Sequence, residues 1–156
     1  MKATYFSALG EAEDRLLLAR AIQLFMPGKP QVWYLDLFAG VNDHEAMRRA
    51  GVGGHKEINR TNLTADMAEA GLQRAVVQDQ LALLRLRNTC PVFAGDARIT
   101  FDTAGSRLTI AWENPSGRAE LAADLADASF TASTRDAAGN ETFRMEKGKN
   151  GTAKSI

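Results

Sequence analysis

Apolar positions along this chain follow three successive spacings, and each predicts a different element. From Leu16 to Phe25 they form a broad helical stripe of Leu16, Leu17, Leu18, Ala21, Ile22, Leu24 and Phe25. That stripe covers well over half a helix circumference, which predicts a mostly buried helix rather than a surface one. Glu11, Glu13 and Asp14 lead into it, where the helix dipole favours negative charge. Pro27-Gly28 stops the helix. From Gln31 to Phe38 the apolar residues then run almost without alternation, broken only by Asp36. Such a run predicts a strand covered on both faces, as in a parallel α/β sheet. The stretch Lys2 to Leu9 is also apolar, but no cap or turn signal precedes it.

A long polar excursion, Ala39 to Thr64, follows the expected strand. Asn42 and Asp43 can cap a short helix over His44 to Ala50, which Gly51 ends. A loop of this length within a compact domain points to function. The glycines at 51, 53 and 54 invite comparison with a phosphate-binding loop. The G-x-x-x-x-G-K-[ST] spacing is absent, however, so turn geometry accounts for them. Thr64 caps a further helix that runs, with an interruption near Gly71, to about Asn88. Val77, Leu81, Leu84 and Asn88 mark one face, with Leu83 and Leu86 beside it. Arg74, Gln78, Asp79, Arg85 and Arg87 are expected on the solvated side. The leucines read as packing rather than a zipper, because no heptad is sustained.

Beyond Pro91 the period changes to two. Arg98 to Asp102 and Arg107 to Glu113 alternate, with Ile99, Phe101, Leu108, Ile110 and Trp112 expected to face inward. Turns at Thr103 to Ser106 and Asn114 to Gly117 separate them. Further strands fall around Glu120, Ser129 to Ser133 and Glu141 to Met145, with a turn at Asp136 to Asn140. Trp112 and Phe130 read as core rather than as a platform for sugar.

Composition narrows the function classes. Lys plus Arg equals Asp plus Glu, at 19 each, so there is no global electrostatic case for nucleic acid or an anionic membrane. The lone Cys90 cannot form an internal disulfide, and two histidines far from it give no zinc spacing. No metal site and no cofactor are expected. The first residues lack the apolar core of a secretory signal, and no run reaches the ~18 residues of a spanning helix. Cytoplasmic location is the resulting expectation. The Asn-x-Thr triplets at Asn59, Asn62, Asn140 and Asn150 then carry no function.

Asp36 lies near the C-terminal end of the expected strand, where parallel architectures place their ligands. The plainer reading is a buried carboxylate satisfied by backbone or by an arginine.

Five strings of residues resemble the end of the catalytic barrel in the α-amylase family of glycoside hydrolases, within its sucrose-phosphorylase-like branch. They are TYFSALG at Thr4 to Gly10, LLLARAIQLFMPGKPQVWYLDLFAG at Leu16 to Gly40, Asn42-Asp43, EINR at Glu57 to Arg60, and VVQDQLALLRLRNTCPVFAG at Val76 to Gly95. The resemblance implies an α/β plus all-β architecture: residues 1–92 as the last βα part of an incomplete (β/α)8 barrel, residues 93–147 as an antiparallel, sandwich-like β domain, and residues 148–156 as a flexible tail. It implies the C-terminal portion of a retaining α-glucoside phosphorylase, with inorganic phosphate as co-substrate and a separate N-terminal barrel polypeptide as a possible partner. The family's three catalytic acids belong to earlier strands, ahead of Thr4, so no catalytic residue is expected here. Retaining chemistry needs two carboxyl groups about 5 Å apart, a pair that Asp36, Asp43, Glu45 and Glu57 do not provide. The resemblance makes Arg60 a donor-sugar contact. A loop-anchoring ion pair is the plainer role.

Where relatives in that branch read Asp-Ile-Asn-Arg, this chain has Glu57-Ile58-Asn59-Arg60, preceded by His55 and Lys56. Those two cations suit contact with phosphate or an acidic acceptor, as in a glucosylglycerate-acting relative. Two other readings stay open: a free-standing, non-catalytic sugar-binding or interaction module, and a piece of an α-glucosidase or transglycosylase.

Overall fold

A computed structural model describes residues 3–102 and 104–148. The chain divides into two compact units, one formed by Met1–Leu17 with Gln31–Leu81 and the other by Leu18–Pro30 with Ala82–Ile156. The tail expected at residues 148–156 lies outside the described residues except for Gly148.

The first unit is helical. Helix α1 spans Tyr5–Ala8, α2 Glu13–Phe25, α3 Tyr34–Leu37, α4 His44–Arg49, α5 Ala65–Leu72 and α6 Ala75–Thr89; α2 and α6 each continue into the second unit. A 3-10 helix over Gly54–Asn59 lies between α4 and α5. Side-chain caps start three of these helices. Thr4 accepts from Ser7 N at 3.1 Å, Asp43 from Ala46 N at 2.8 Å and Thr64 from Met67 N at 3.2 Å. The cap at Thr4 supplies the start signal that Lys2 to Leu9 lacked as a sequence.

The strand expected at Gln31 to Phe38 does not form. Trp33 is extended, at φ −79° and ψ 141°, and the next four residues close into the single turn of α3. Leu37 N bonds Trp33 O at 3.0 Å and Gly40 N bonds Leu35 O at 2.8 Å. A strand exists only through a ladder with its neighbours, and every strand of the described sheet lies beyond residue 95. With no partner in reach, the backbone groups satisfy one another locally. Nor is the run covered on both sides, since Trp33 is 51% and Tyr34 37% exposed. The barrel strand inferred from this run is thus absent from the described structure.

Helix α6 buries a different face from the one its leucines suggest. Val76, Val77, Gln80, Leu83 and Leu86 are buried, whereas Leu81 and Leu84 are half-exposed. The stripe is disguised because one of its positions is a glutamine. The Gln80 amide donates to Leu37 O at 2.8 Å, which offsets the cost of burying it.

The second unit is built on one antiparallel sheet. Its strands are β1 Asp96–Asp102, β2 Arg107–Asn114, β3 Gly117–Asp124, β4 Ser129–Asp136 and β5 Glu141–Lys147, paired in sequence order. This is a single meander, not the pair of stacked sheets that a sandwich requires. Register places Ile110 opposite Leu121 and Leu121 opposite Ala132; Trp112 faces Ala119, which faces Thr134. These six are buried on one face, as the period-two pattern predicts. Ile99 and Phe101 share that face through their partners Ile110 and Leu108, yet they remain 44% and 50% exposed. They were expected inside; the edge position of β1 leaves them uncovered.

The C-terminal part of α2 and a 3-10 turn at Pro91–Ala94 belong to the same unit. Trp112 Nε1 donates to Phe25 O at 2.6 Å, and the Phe93 ring stands edge-on to both Phe25 and Trp112, at 5.2 and 5.6 Å. Arg87 is not a solvated side chain here. Its guanidinium lies 4.6 Å from the Phe93 centroid and 4.7 Å from that of Trp112, and donates to Gly28 O at 2.8 Å. Burial lowers its pKa. The turn from β2 to β3 needs glycine, because Gly117 has φ 138° and a Cβ there would collide with the Arg135 carbonyl.

Candidate functional site

Within the first unit a groove of about 900 Å3 opens between the segment Leu35 to Glu45 and helix α5. Its apolar lining includes Phe38, Val41, Leu63 and Met67; its polar lining is Asn42, Asp43, His44, Glu45, Thr61 and Arg74. The polar groups are fixed by local bonds. Asp43 caps α4 through Ala46 N, and its other oxygen accepts from the Thr61 hydroxyl at 3.4 Å. Those contacts, the Ala46 amide above all, hold its carboxyl below the usual range. Arg74 donates to Phe38 O at 3.0 Å and to Glu13 Oε1 at 2.7 Å, with its guanidinium 6.0 Å from the Phe6 ring centroid. It was expected in solvent; long-range partners at residues 6, 13 and 38 draw it back onto the protein, and no local spacing announces them.

Asn42 is the pivot of this region. Its Oδ1 accepts from Thr4 N at 2.7 Å, and its own N–H donates to Ser7 Oγ at 3.0 Å. The short segment Asn42-Asp43 thereby ties α1 to α4, a role that its helix-cap pattern only half reveals.

The four residues favoured from sequence as substrate contacts, Asp36, His55, Lys56 and Arg60, fall elsewhere, and none of them lines the groove. Asp36 is half-buried and its Oδ1 accepts from Tyr5 N at 2.7 Å, so one oxygen is engaged by backbone. His55 and Lys56 are exposed neighbours in the 3-10 helix. Arg60 follows that helix and pairs with Glu57 at 3.6 Å, with both side chains about half exposed. His55, Lys56 and Arg60 thus share one local structure, while Asp36 belongs to the α1 contact. Asp43 and Glu45 are both carboxylates of the groove. Asp43 is engaged as a cap, and Glu45 pairs with Arg49 at 3.5 Å on the exposed side of α4. Among the described residues no group of three His, Cys, Asp or Glu side chains could hold a metal ion. No helix among them is long and apolar enough to cross a membrane.

The described residues thus comprise a helical unit that presents an apolar groove with a polar rim, joined in sequence to a unit built on a five-stranded meander. No protein-family model matches the chain. The sucrose 6(F)-phosphate phosphorylase of Ilumatobacter coccineus is 60% identical over 131 residues, which cover 84% of this chain and 25% of that protein. The glucosylglycerol phosphorylase of Marinobacter adhaerens is 34% identical over 146 residues, covering 94% of this chain and 30% of its own length. Among solved structures, the sucrose 6F-phosphate phosphorylase from Thermoanaerobacter thermosaccharolyticum superposes with a TM-score of 0.83 at 38% identity, over 93% of this chain and 29% of that one. The chain belongs to the sucrose-phosphorylase-like phosphorylases and matches their C-terminal part. It spans about a quarter of the length of the curated relatives it matches.

Proposed function

We propose that this chain is the C-terminal portion of a retaining α-glucoside phosphorylase of the α-amylase family. In the completed enzyme a glucosyl group leaves its glucoside, is held on the enzyme, and is captured by phosphate as α-glucose 1-phosphate. The observation that carries the reading is the 60% identity to a sucrose 6(F)-phosphate phosphorylase across 131 residues. The glucoside we favour is accordingly one whose leaving group bears a phosphate.

Residues 1–92 would complete the catalytic barrel in this reading, and residues 93–147 would form its accessory β domain. In this reading the catalytic carboxylates come from the N-terminal barrel portion, and among the described residues Asp36 and Asp43 are engaged by backbone while Glu45 and Glu57 are engaged by arginines. Arg60 contacts the donor sugar. Its present partner Glu57 supports that assignment, because a half-exposed ion pair costs little to exchange for a substrate contact. His55 and Lys56, exposed on the same turn, supply positive charge for the leaving group's phosphate.

The test is an exchange. The C-terminal part of the Thermoanaerobacter enzyme is replaced by this chain, and the hybrid is assayed with sucrose 6F-phosphate and with sucrose. Phosphate-dependent release of glucose 1-phosphate, faster from the phosphorylated substrate, is expected. A soluble, folded hybrid that releases only glucose would mean that this chain does not support capture of the glucosyl group by phosphate, and would contradict the reading.

A further inference from the structure

The two edges of the sheet differ in what they leave unsatisfied. On β5 the outward charges are bonded within the strand, Arg144 pairing with Glu141 at 3.2 Å and with Glu146. The opposite edge, β1, pairs with β2 alone. The Arg98 side chain has neither hydrogen bond nor ion pair among the described residues. Asp102 accepts from Ala104 N at 2.9 Å, and although Arg107 stands opposite it on β2, no ion pair joins the two. On the other face of the same strand, Ile99 and Phe101 are half-exposed. An edge with open backbone groups, uncovered apolar side chains and no proline is a template for another strand.

We propose that β1 is a self-association edge, through which two copies of this chain pair antiparallel about a two-fold axis at Thr100. The occupant is argued from register. Residues directly opposed in an antiparallel pair lie on the same face of the sheet, so Ile99 and Phe101 must meet odd-numbered residues of the partner to continue the apolar face. Two centres, Ile99 and Thr100, do this within the strand. Centring on Ile99 opposes Asp96 to the partner's Asp102 twice, and like charges directly opposed are destabilising. Centring on Arg98 or on Phe101 carries Phe101 or Ile99, respectively, past the end of the partner's strand. Centring on Thr100 sets Arg98 opposite the partner's Asp102 and Ile99 opposite the partner's Phe101, each twice by symmetry. Charge and apolar pattern therefore agree on one isologous register, as a two-fold interface requires. The sheets of the two copies become continuous, and the open β1 edge of each is paired.

Sedimentation of the 156-residue chain across a concentration series tests the proposal. The chain should show a monomer–dimer equilibrium. Arg98→Asp and Asp102→Arg should each weaken it about ten- to a hundredfold, since each places like charges opposite one another in two symmetric pairs. Mixing the two variants, or combining both changes in one chain, should restore association, because Arg again opposes Asp at every pair. That recovery also shows that each single variant is folded. A chain that stays monomeric at every concentration, a dimer indifferent to both reversals, or a mixture no better than its components would overturn the proposal.

Discussion

Two arginines show how far single residues can be read. Arg60 sits in a local sequence string, and its pairing with Glu57 three residues earlier is of the kind that spacing reveals. Arg87 is the opposite case. Sequence placed it in solvent because its partners, Gly28, Phe93 and Trp112, arrive from distant segments. Replacing Arg87 with Ala should destabilise the second unit by about 1–3 kcal/mol, from a charge-assisted hydrogen bond and stacking on two rings. Arg87→Lys should recover less than half of that loss in urea unfolding, since an ammonium lacks the planar face. Full recovery would mean that charge alone matters there. For Arg60, the Arg60→Lys change in the hybrid enzyme should lower kcat/KM about ten- to a hundredfold for every glucosyl donor. His55→Ala should instead shift preference among acceptors. Near-full donor turnover by Arg60→Lys, with stability unchanged, would leave Arg60 with its ion pair to Glu57 and no sugar contact.

At the level of elements, most of what depends on local chemistry was legible, the Thr4 cap of α1 being the exception. Asp43 and Thr64 cap the helices they were expected to cap, the Leu16 to Phe25 stripe is a buried helix, and the alternation beyond Pro91 is a sheet. What depends on a neighbour was not. The run at Gln31 to Phe38 has strand composition without a strand to pair with, and the buried face of α6 is hidden by Gln80, whose partner is a carbonyl 43 residues away. The β4–β5 hairpin offers a pH test of local chemistry. Asp136 accepts from Ala138 N, Asn140 N and Asn140 Nδ2 at 2.9–3.0 Å, and these bonds, the Asn140 side chain first, lower its carboxyl pKa. A carboxyl depressed in the folded state contributes stability that is fully present above its unfolded pKa and is lost as pH falls through the folded value. Asp136→Asn should therefore be less stable than wild type near neutrality, with the gap closing on acidification. A gap independent of pH would place the contribution in shape rather than charge. In the preceding hairpin, Gly117→Ala should cost roughly 2 kcal/mol or more, because strain at positive φ adds to the collision with the Arg135 carbonyl. Thermal unfolding measures it.

For the whole molecule, the family was legible because its motifs are contiguous strings, whereas the candidate site was not, because a site in such enzymes is assembled from many strands. Of the four residues favoured from sequence, three share the turn at Gly54–Asn59 and its end at Arg60, and the groove is lined by others. The chain alone, incubated with phosphate and a panel of α-glucosides, should release no glucose 1-phosphate, because little of a retaining enzyme's acceleration survives without its carboxylate pair. Turnover abolished by Asp36→Ala would show that the chemistry resides here after all. The central claim, that these residues complete a phosphorylase, is tested most directly in the hybrid by the ratio of glucose 1-phosphate to free glucose as phosphate is raised. The ratio should climb with phosphate and saturate, as it does when phosphate competes with water for a held glucosyl group. A folded hybrid whose ratio stays near zero at saturating phosphate would contradict the account.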